Sequence, residues 1–186
     1  IFQGIPKADS LYSVQELFYF ISMKTQTIIL ATAIVLTGLM AGIFFTWSNA
    51  VKPGIGKLSD LEYLKALQSM NRVILNKVFK IVFGGAIIVV TMVPVFNYNV
   101  FPKPAFWLFV ITLFIYWIGV FGVKLLGNIP LNELLDKTNL DSITLEEIKA
   151  LRASIETKWN NFNLIRALAS VISFLLLVVT YAFLEK

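Results

Sequence analysis

The sequence predicts an all-α integral membrane four-helix bundle, with two amphipathic helical extensions running into the second and fourth spans. Three observations lead there. Residues 25–51, 81–102, 104–123 and 167–184 carry no charged side chain. A helix rises about 1.5 Å per residue, so about 20 residues cross a hydrocarbon core about 30 Å thick. The chain is 58% hydrophobic and 15% charged, where a soluble domain is roughly 25% charged. Finally, the four stretches have almost no polar face to offer water, and capping patterns precede two of them.

The 186 residues divide into an N-terminal extension, 1–22, and a four-helix transmembrane domain, 23–186, with spans near 26–49, 78–96, 104–126 and 163–184. In the extension Leu11, Val14, Leu17, Phe18 and Ile21 share a helical face suited to the membrane interface, unless it is only an upstream segment ahead of Met23-Lys24. After the first span, Pro53, Gly54 and Gly56 predict a turn. Ser59 with Glu62 forms a capping-box pattern. Leu61, Leu64, Leu67, Met70, Ile74, Val78 and Ile81 then recur at three- and four-residue steps. With no breaker between, one long helix from 59 to about 93 is expected, ended or kinked by Pro94. A short connector at 97–103 makes its neighbours antiparallel. Pro104 suits the first turn of the third span. Thr144 with Glu147 repeats the capping box, and the stripe Leu145, Ile148, Leu151, Ile155, Trp159, Phe162 leads unbroken into the fourth span.

The net charge of +5 belongs to residues flanking the spans, so it points to lipid and topology and not to nucleic acid. The two long connections, 52–80 and 124–166, carry most of the Lys and Arg, which predicts that they face the cytoplasm and both termini face out. With no Cys and no His, the chain lacks thiolate chemistry and the commonest metal ligand and general base near neutral pH. No Asp or Glu lies between Glu62 and Glu133, which argues against an ion-coupled transporter. The carboxylates elsewhere show no ligand spacing, so no metal site is predicted. No phosphate-binding loop or nucleophile elbow is present.

Three polar groups lie near membrane depth: Gln68, Asn71 and Arg72, with Asn76; Lys124, Asn128 and Asn132; and Trp159, Asn163, Arg166 and Ser170, which share one helical face bordered by Asn160. All belong to the end of the bundle with the long connections. Two readings fit. Asn128 and Asn132 flank Pro130 and suit a turn or cap, Asn71 and Asn163 suit interhelical hydrogen bonds, and Lys77, Lys124 and Arg166 suit snorkelling to the interface. Alternatively the same residues converge on a polar pocket roofed by some of Phe44, Phe45, Trp47, Phe106, Trp107, Tyr116 and Trp117.

Gly127-Asn-Ile-Pro-Leu-Asn132, followed by Leu135-Asp136, resembles the signature of the anthrone oxygenase family of small integral membrane proteins, also called DUF1772. Gln68-x-x-Asn71-Arg72 and Trp159-Asn160-x-x-Asn163-x-x-Arg166 are similar to its other two patterns, and the order and spacing agree over about 28–183. Lys77 and Lys124 depart from it, standing where the family often has Pro and an uncharged residue. The resemblance implies a four-helix membrane protein, found among bacterial inner-membrane proteins, and an oxygenase of a lipophilic phenolic or polyketide substrate that needs no flavin, haem or other cofactor. Arg166 and Arg72 would then be the anion-stabilising donors, Asn71, Asn128, Asn132 and Asn163 would orient, and a desolvated Lys124 would be the base. The competing expectation is a non-catalytic protein that binds membrane lipid or a quinone, or an accessory subunit using the same cluster for a head group.

Overall fold

The computed structural model describes residues 8–98 and 102–184. Residues 1–7 of the extension and 99–101 of the 97–103 connector lie outside the described residues, as do the side chains of Leu11, Phe18 and Ile21. Among the described residues there is no strand, and four helical segments are long and apolar enough to cross a membrane: Met23–Ile55, Lys77–Phe96, Lys103–Lys137 and Leu145–Leu184. The chain is an integral membrane protein.

Helix α1 (Ala8–Thr46) continues through a π-helical turn, Trp47–Val51, into the short α2 (Lys52–Ile55). Helix α3 (Asp60–Ile74) starts at the expected capping box: Glu62 N–H donates to Ser59 Oγ, and the Ser59 N–H donates to the Glu62 carboxylate. The single helix expected over 59–93 is instead two, divided at Leu75 and Asn76. The cause is Asn76, whose side chain accepts from Phe79 N–H at 3.0 Å and donates to the Val73 carbonyl at 3.2 Å. It thereby serves the end of one helix and the start of the next, a job short amide side chains do well. Helix α4 (Lys77–Phe96) keeps Pro94 in its last turn.

Helix α5 (Lys103–Tyr116) passes through two π-helical stretches, Trp117–Gly122 and Lys124–Asn128, into α6 (Ile129–Lys137). The segment 127–132 is therefore helical throughout, and Asn128 and Asn132 are not turn residues. A wide turn explains how Pro130 is accommodated there. The Ile129 N–H reaches back five residues to the Lys124 carbonyl, so the regular four-residue ladder is already interrupted where Pro130 has no N–H to give. Helix α7 (Leu145–Leu184) runs unbroken for 40 residues from the second capping box, as its pattern predicts.

The bundle divides between two solvents. Around the long connections, Tyr63, Leu64 and Leu67 of α3 pack on Leu135 of α6 and on Ile148, Ile155 and Trp159 of α7. This cap is held by the hydrophobic effect, roughly 1.5–3 kcal/mol for each large apolar side chain removed from water. Arg152 closes its edge, donating to Asp60 and Glu156 and to the Leu58 and Gly56 carbonyls. Within the spans, α1 packs on α4 and α7, and α5 on α7 and α4. Here lipid tails are as apolar as leucine, so close packing does the holding and small residues permit it. Gly119 and Gly127 are such contacts: a Cβ at Gly119 would sit 2.5 Å from the Ala169 Cβ, and one at Gly127 would sit 2.7 Å from the Phe162 ring.

Gly127→Ala should overpack this contact, at a cost of about 1–3 kcal/mol. Thermal unfolding in detergent is expected to show a lower Tm, largely restored by adding Phe162→Ala; an unchanged Tm would mean that the close approach is absent.

Candidate functional site

Arg166 is the only described arginine inside the bundle, 5% exposed. The face of α7 that carries Trp159, Asn163 and Ser170 turns it inward, since all four are buried. Its guanidinium carbon lies 4.0 Å from the centre of the Phe44 ring, and Nη1 donates to Asn128 Oδ1 at 3.4 Å. Nε is buried with no hydrogen-bond partner among the described residues. A guanidinium keeps its charge. The site therefore holds a fixed cation with an unused donor.

Asn128 reaches Arg166 because Gly127 lets the third span close on α7. Its Nδ2 donates to the Trp159 carbonyl at 3.4 Å, while its Oδ1 takes the arginine. One turn on, Asn132 Oδ1 accepts from Trp159 Nε1 at 2.7 Å and from Asn71 Nδ2 at 3.0 Å, tying α6 to α7 and α3. Both bonds fall on its oxygen, which leaves the Asn132 amide N–H groups as donors. Asn163 Nδ2 donates to the Phe44 carbonyl at 3.4 Å and to Ser48 Oγ at 3.3 Å, fixing α7 against α1. Lys124 Nζ sits 3.9 Å from the centre of the Phe83 ring and 5.4 Å from that of Phe79.

These groups line a cleft of about 1030 Å³ between α1, the end of α3, the start of α4 and α7. Asn71, Lys124, Asn128, Asn132, Trp159, Asn163 and Arg166 all face it, and no carboxylate is among the described lining residues. Its polar floor is thus cationic and donor-rich, and its walls are apolar. Tyr63 lies in the cap behind Trp159. Burial first, and the Glu156 charge second, push its phenol up to about 12, so it stays neutral and is no base at working pH.

Four residues of the three polar groups are not brought to the cleft: Arg72, Gln68, Asn160 and Ser170, the last of them buried on α7 outside the lining. Arg72 lies on the outer face of α3, where Nε pairs with Asp136 Oδ1 at 2.5 Å and the side chain is 59% exposed. A carboxylate one helix away gives it a solvated partner. Gln68 donates to the Leu135 and Thr138 carbonyls, serving the otherwise unpaired end of α6. Asn160 takes the Trp47 indole N–H at 3.2 Å behind the lining. Of the expected roof, Phe44 and Trp47 line the cleft, Tyr116 is fully buried in the bundle core, and Phe45, Trp107 and Trp117 are exposed. Ser48, Phe79, Phe83 and Phe174 were not anticipated. Phe79 and Phe83 are spaced four apart, a signal that only becomes readable once Lys124 is seen to face them.

Fold and site together define a polytopic α-helical membrane protein with a donor-lined cleft at one end of its bundle. The family model described as anthrone oxygenase matches residues 72–176, more than half the chain, and the protein belongs to that family. The matched segment carries Lys124, Asn128, Asn132, Trp159, Asn163 and Arg166, and leaves α1, the opposite wall of the cleft, outside it. No curated protein and no solved structure matches the chain.

Asn132→Ala strands two donors and is expected to cost about 1–2 kcal/mol, given the usual worth of interhelical hydrogen bonds in membranes. Arg72→Ala removes only exposed contacts to Asp136, an ion pair and a bond to its carbonyl, and should stay within about 1 kcal/mol of wild type. Parallel denaturation in detergent would contradict this assignment if the order were reversed.

Proposed function

We propose that the protein is a cofactor-independent oxygenase of a lipophilic, acidic phenol or anthrone, working in a bacterial inner membrane with its long connections in the cytoplasm. The observation that carries this reading is Arg166, a buried permanent cation that lines a cleft with no carboxylate among its described lining residues and whose Nε is unpartnered among the described residues. In an anthrone, loss of a proton from the ring CH₂ gives an enolate, with the negative charge largely on the carbonyl oxygen. Arg166 and the Asn132 amide offer preorganised donors for that oxygen, worth far more in a water-poor cleft than in bulk water. The carbanion adds dioxygen to give a hydroperoxide. Loss of the second ring hydrogen with cleavage of the O–O bond then leaves one oxygen in the new ketone and releases the other as water. The four electrons taken up by dioxygen balance the CH₂-to-ketone oxidation. Lys124 is the one other ionisable group among the described lining residues and is assigned the proton.

The seat of Lys124 favours a second reading. Over the faces of two phenylalanines an ammonium gains a cation–π attraction of about 0.5–2 kcal/mol. A site whose lysine stays charged holds an anion or a quinone oxygen without deprotonating anything. The protein would then bind a lipid head group or a quinone.

Oxygen uptake in detergent separates the two. The enzyme reading expects one dioxygen consumed per anthrone, above the rate in protein-free detergent. Removing one anion-stabilising donor typically costs about 10²–10³ in kcat, so Arg166→Gln should fall by that factor and Arg72→Ala should not. Rates equal to protein-free detergent, with a lipid or quinone recovered on solvent extraction, would leave the binding reading.

Topology is tested apart from activity. The chain has no Cys, so a single Ser142→Cys or Tyr98→Cys provides a clean label site; both positions are exposed. A membrane-impermeant maleimide added to intact cells is expected to reach Cys at 98 and not at 142, and the converse would invert the topology.

A further inference from the structure

The cleft is open on one side, along a rim of apolar side chains. Val35, Leu39 and Ile43 of α1 form one edge and Val73, Ile74 and Leu75 at the α3–α4 junction form the other. All six are exposed in the monomer, and all are apolar. The α1 residues belong to a membrane span, so what they meet there is lipid. The rest of the α1 wall is hollowed out. Gly38 and Gly42, one turn apart, both line the cleft. A Cβ at Gly42 would touch nothing within 4 Å, and one at Gly38 would touch only the Phe174 ring. From Thr46, level with the polar floor, to Val35 is eleven residues, or about 16 Å of helix, roughly half of the hydrocarbon core. The volume of about 1030 Å³ lies at the top of the roughly 300–1,000 Å³ that drug-sized ligands occupy. A cationic floor opening into a glycine-lined apolar trough has the shape of a molecule with one anionic head and one tail.

We propose that the ligand is a phenol carrying a linear alkyl or prenyl chain, its phenolate oxygen at Arg166 and its chain along the Gly38–Gly42 trough, admitted sideways from the bilayer between α1 and the α3–α4 junction. This rests on the anion-binding reading of the floor and adds the tail and the route. It also has an energetic signature. A chain already dissolved in lipid gains little on moving into an apolar trough, because the two surroundings are alike. The head group therefore carries the affinity, and the trough decides only whether a tail is tolerated. Ligands with and without a chain should bind alike when concentration is expressed as mole fraction in the bilayer.

The probes are 4-dodecyl-2-nitrophenol and 4-methyl-2-nitrophenol, titrated into the protein in lipid nanodiscs. Their phenolates absorb in the tryptophan emission band, so quenching of Trp47 and Trp159, which both line the cleft, reports binding. In wild type both should bind within about threefold of one another on the mole-fraction scale, and Arg166→Gln should weaken both. Gly42→Phe fills open space and should weaken the dodecyl probe at least tenfold while leaving the methyl probe within twofold. Ile43→Trp, at the exposed rim, should do the same, and it serves if the Gly42 variant does not fold. Were the methyl probe to bind and the dodecyl probe not, or both variants to leave the two probes unaffected or weaken them equally, the tail and its route would be wrong and the floor's anion-binding role would stand. If neither probe bound wild type, both would fall.

Discussion

A guanidinium that cannot reach water organises one end of this molecule. Charge at membrane depth is costly, by about 2.5–3.5 kcal/mol on insertion scales and more by other measures. Arg166 meets that cost with the Phe44 ring on one side and the Asn128 amide oxygen on the other. Phe44 is brought by α1, which packs on α7, whereas Asn128 depends on the geometry of the third span. Its widened turns carry Asn128 round to α7, and Gly127 removes the side chain that would hold the two helices apart. The Asn132 hub then ties the arrangement to α3. Each device serves the same end, which is to keep a cation in place with one donor still unspent.

The two solvents of the fold divide the labour. In the cap, water drives α3, α6 and the start of α7 together, and the charged network around Arg152 closes the rim. In the spans, close packing with a few interhelical hydrogen bonds, such as that from Asn163 to the Phe44 carbonyl, holds the helices, and α1 can stand off from the α3–α4 junction at little cost because lipid fills any gap. The cleft lies where these regimes meet, with its donors nearest the cap and its apolar walls in the bilayer. Such a site suits a reactant that partitions into membranes, and dioxygen, itself apolar, is enriched in the same phase. Chemistry that needs only an anion stabiliser and a dry cavity asks little more of the chain, which is consistent with a protein that has neither His nor Cys.

Much of this was legible from the residues. Uncharged runs locate four spans, and the two Ser/Thr-to-Glu boxes locate the starts of α3 and α7. The three- and four-residue steps from Trp159 to Ser170 place Asn163 and Arg166 on one face, and that face is buried. The failures have physical causes. Arg72 follows Asn71 by one residue, hence about 100° around the helix, and the sequence does not say which of the two faces inward; Asp136, 64 residues away, decides it. The break at Asn76 was hidden because an asparagine suits a cap and a helix interior surface equally in a polar stretch. Least legible was the third span. Widened turns there change which side faces α7 and leave no mark in the hydrophobic pattern, so the residues of 127–132 leave a turn and a polar cluster both open and do not show that the segment is helix.

The central claim is that the Arg166 side chain, and not Arg72, meets the ligand's oxygen. The chain has three arginines, at 72, 152 and 166, so arginine-selective ¹⁵N labelling gives three Nε signals in nanodiscs, with that of Arg166 identified by its loss in Arg166→Lys. Adding a lipophilic phenolate should shift the Arg166 signal and leave the other two in place. A shift confined to Arg72, or none at all at saturating phenolate, would contradict the account.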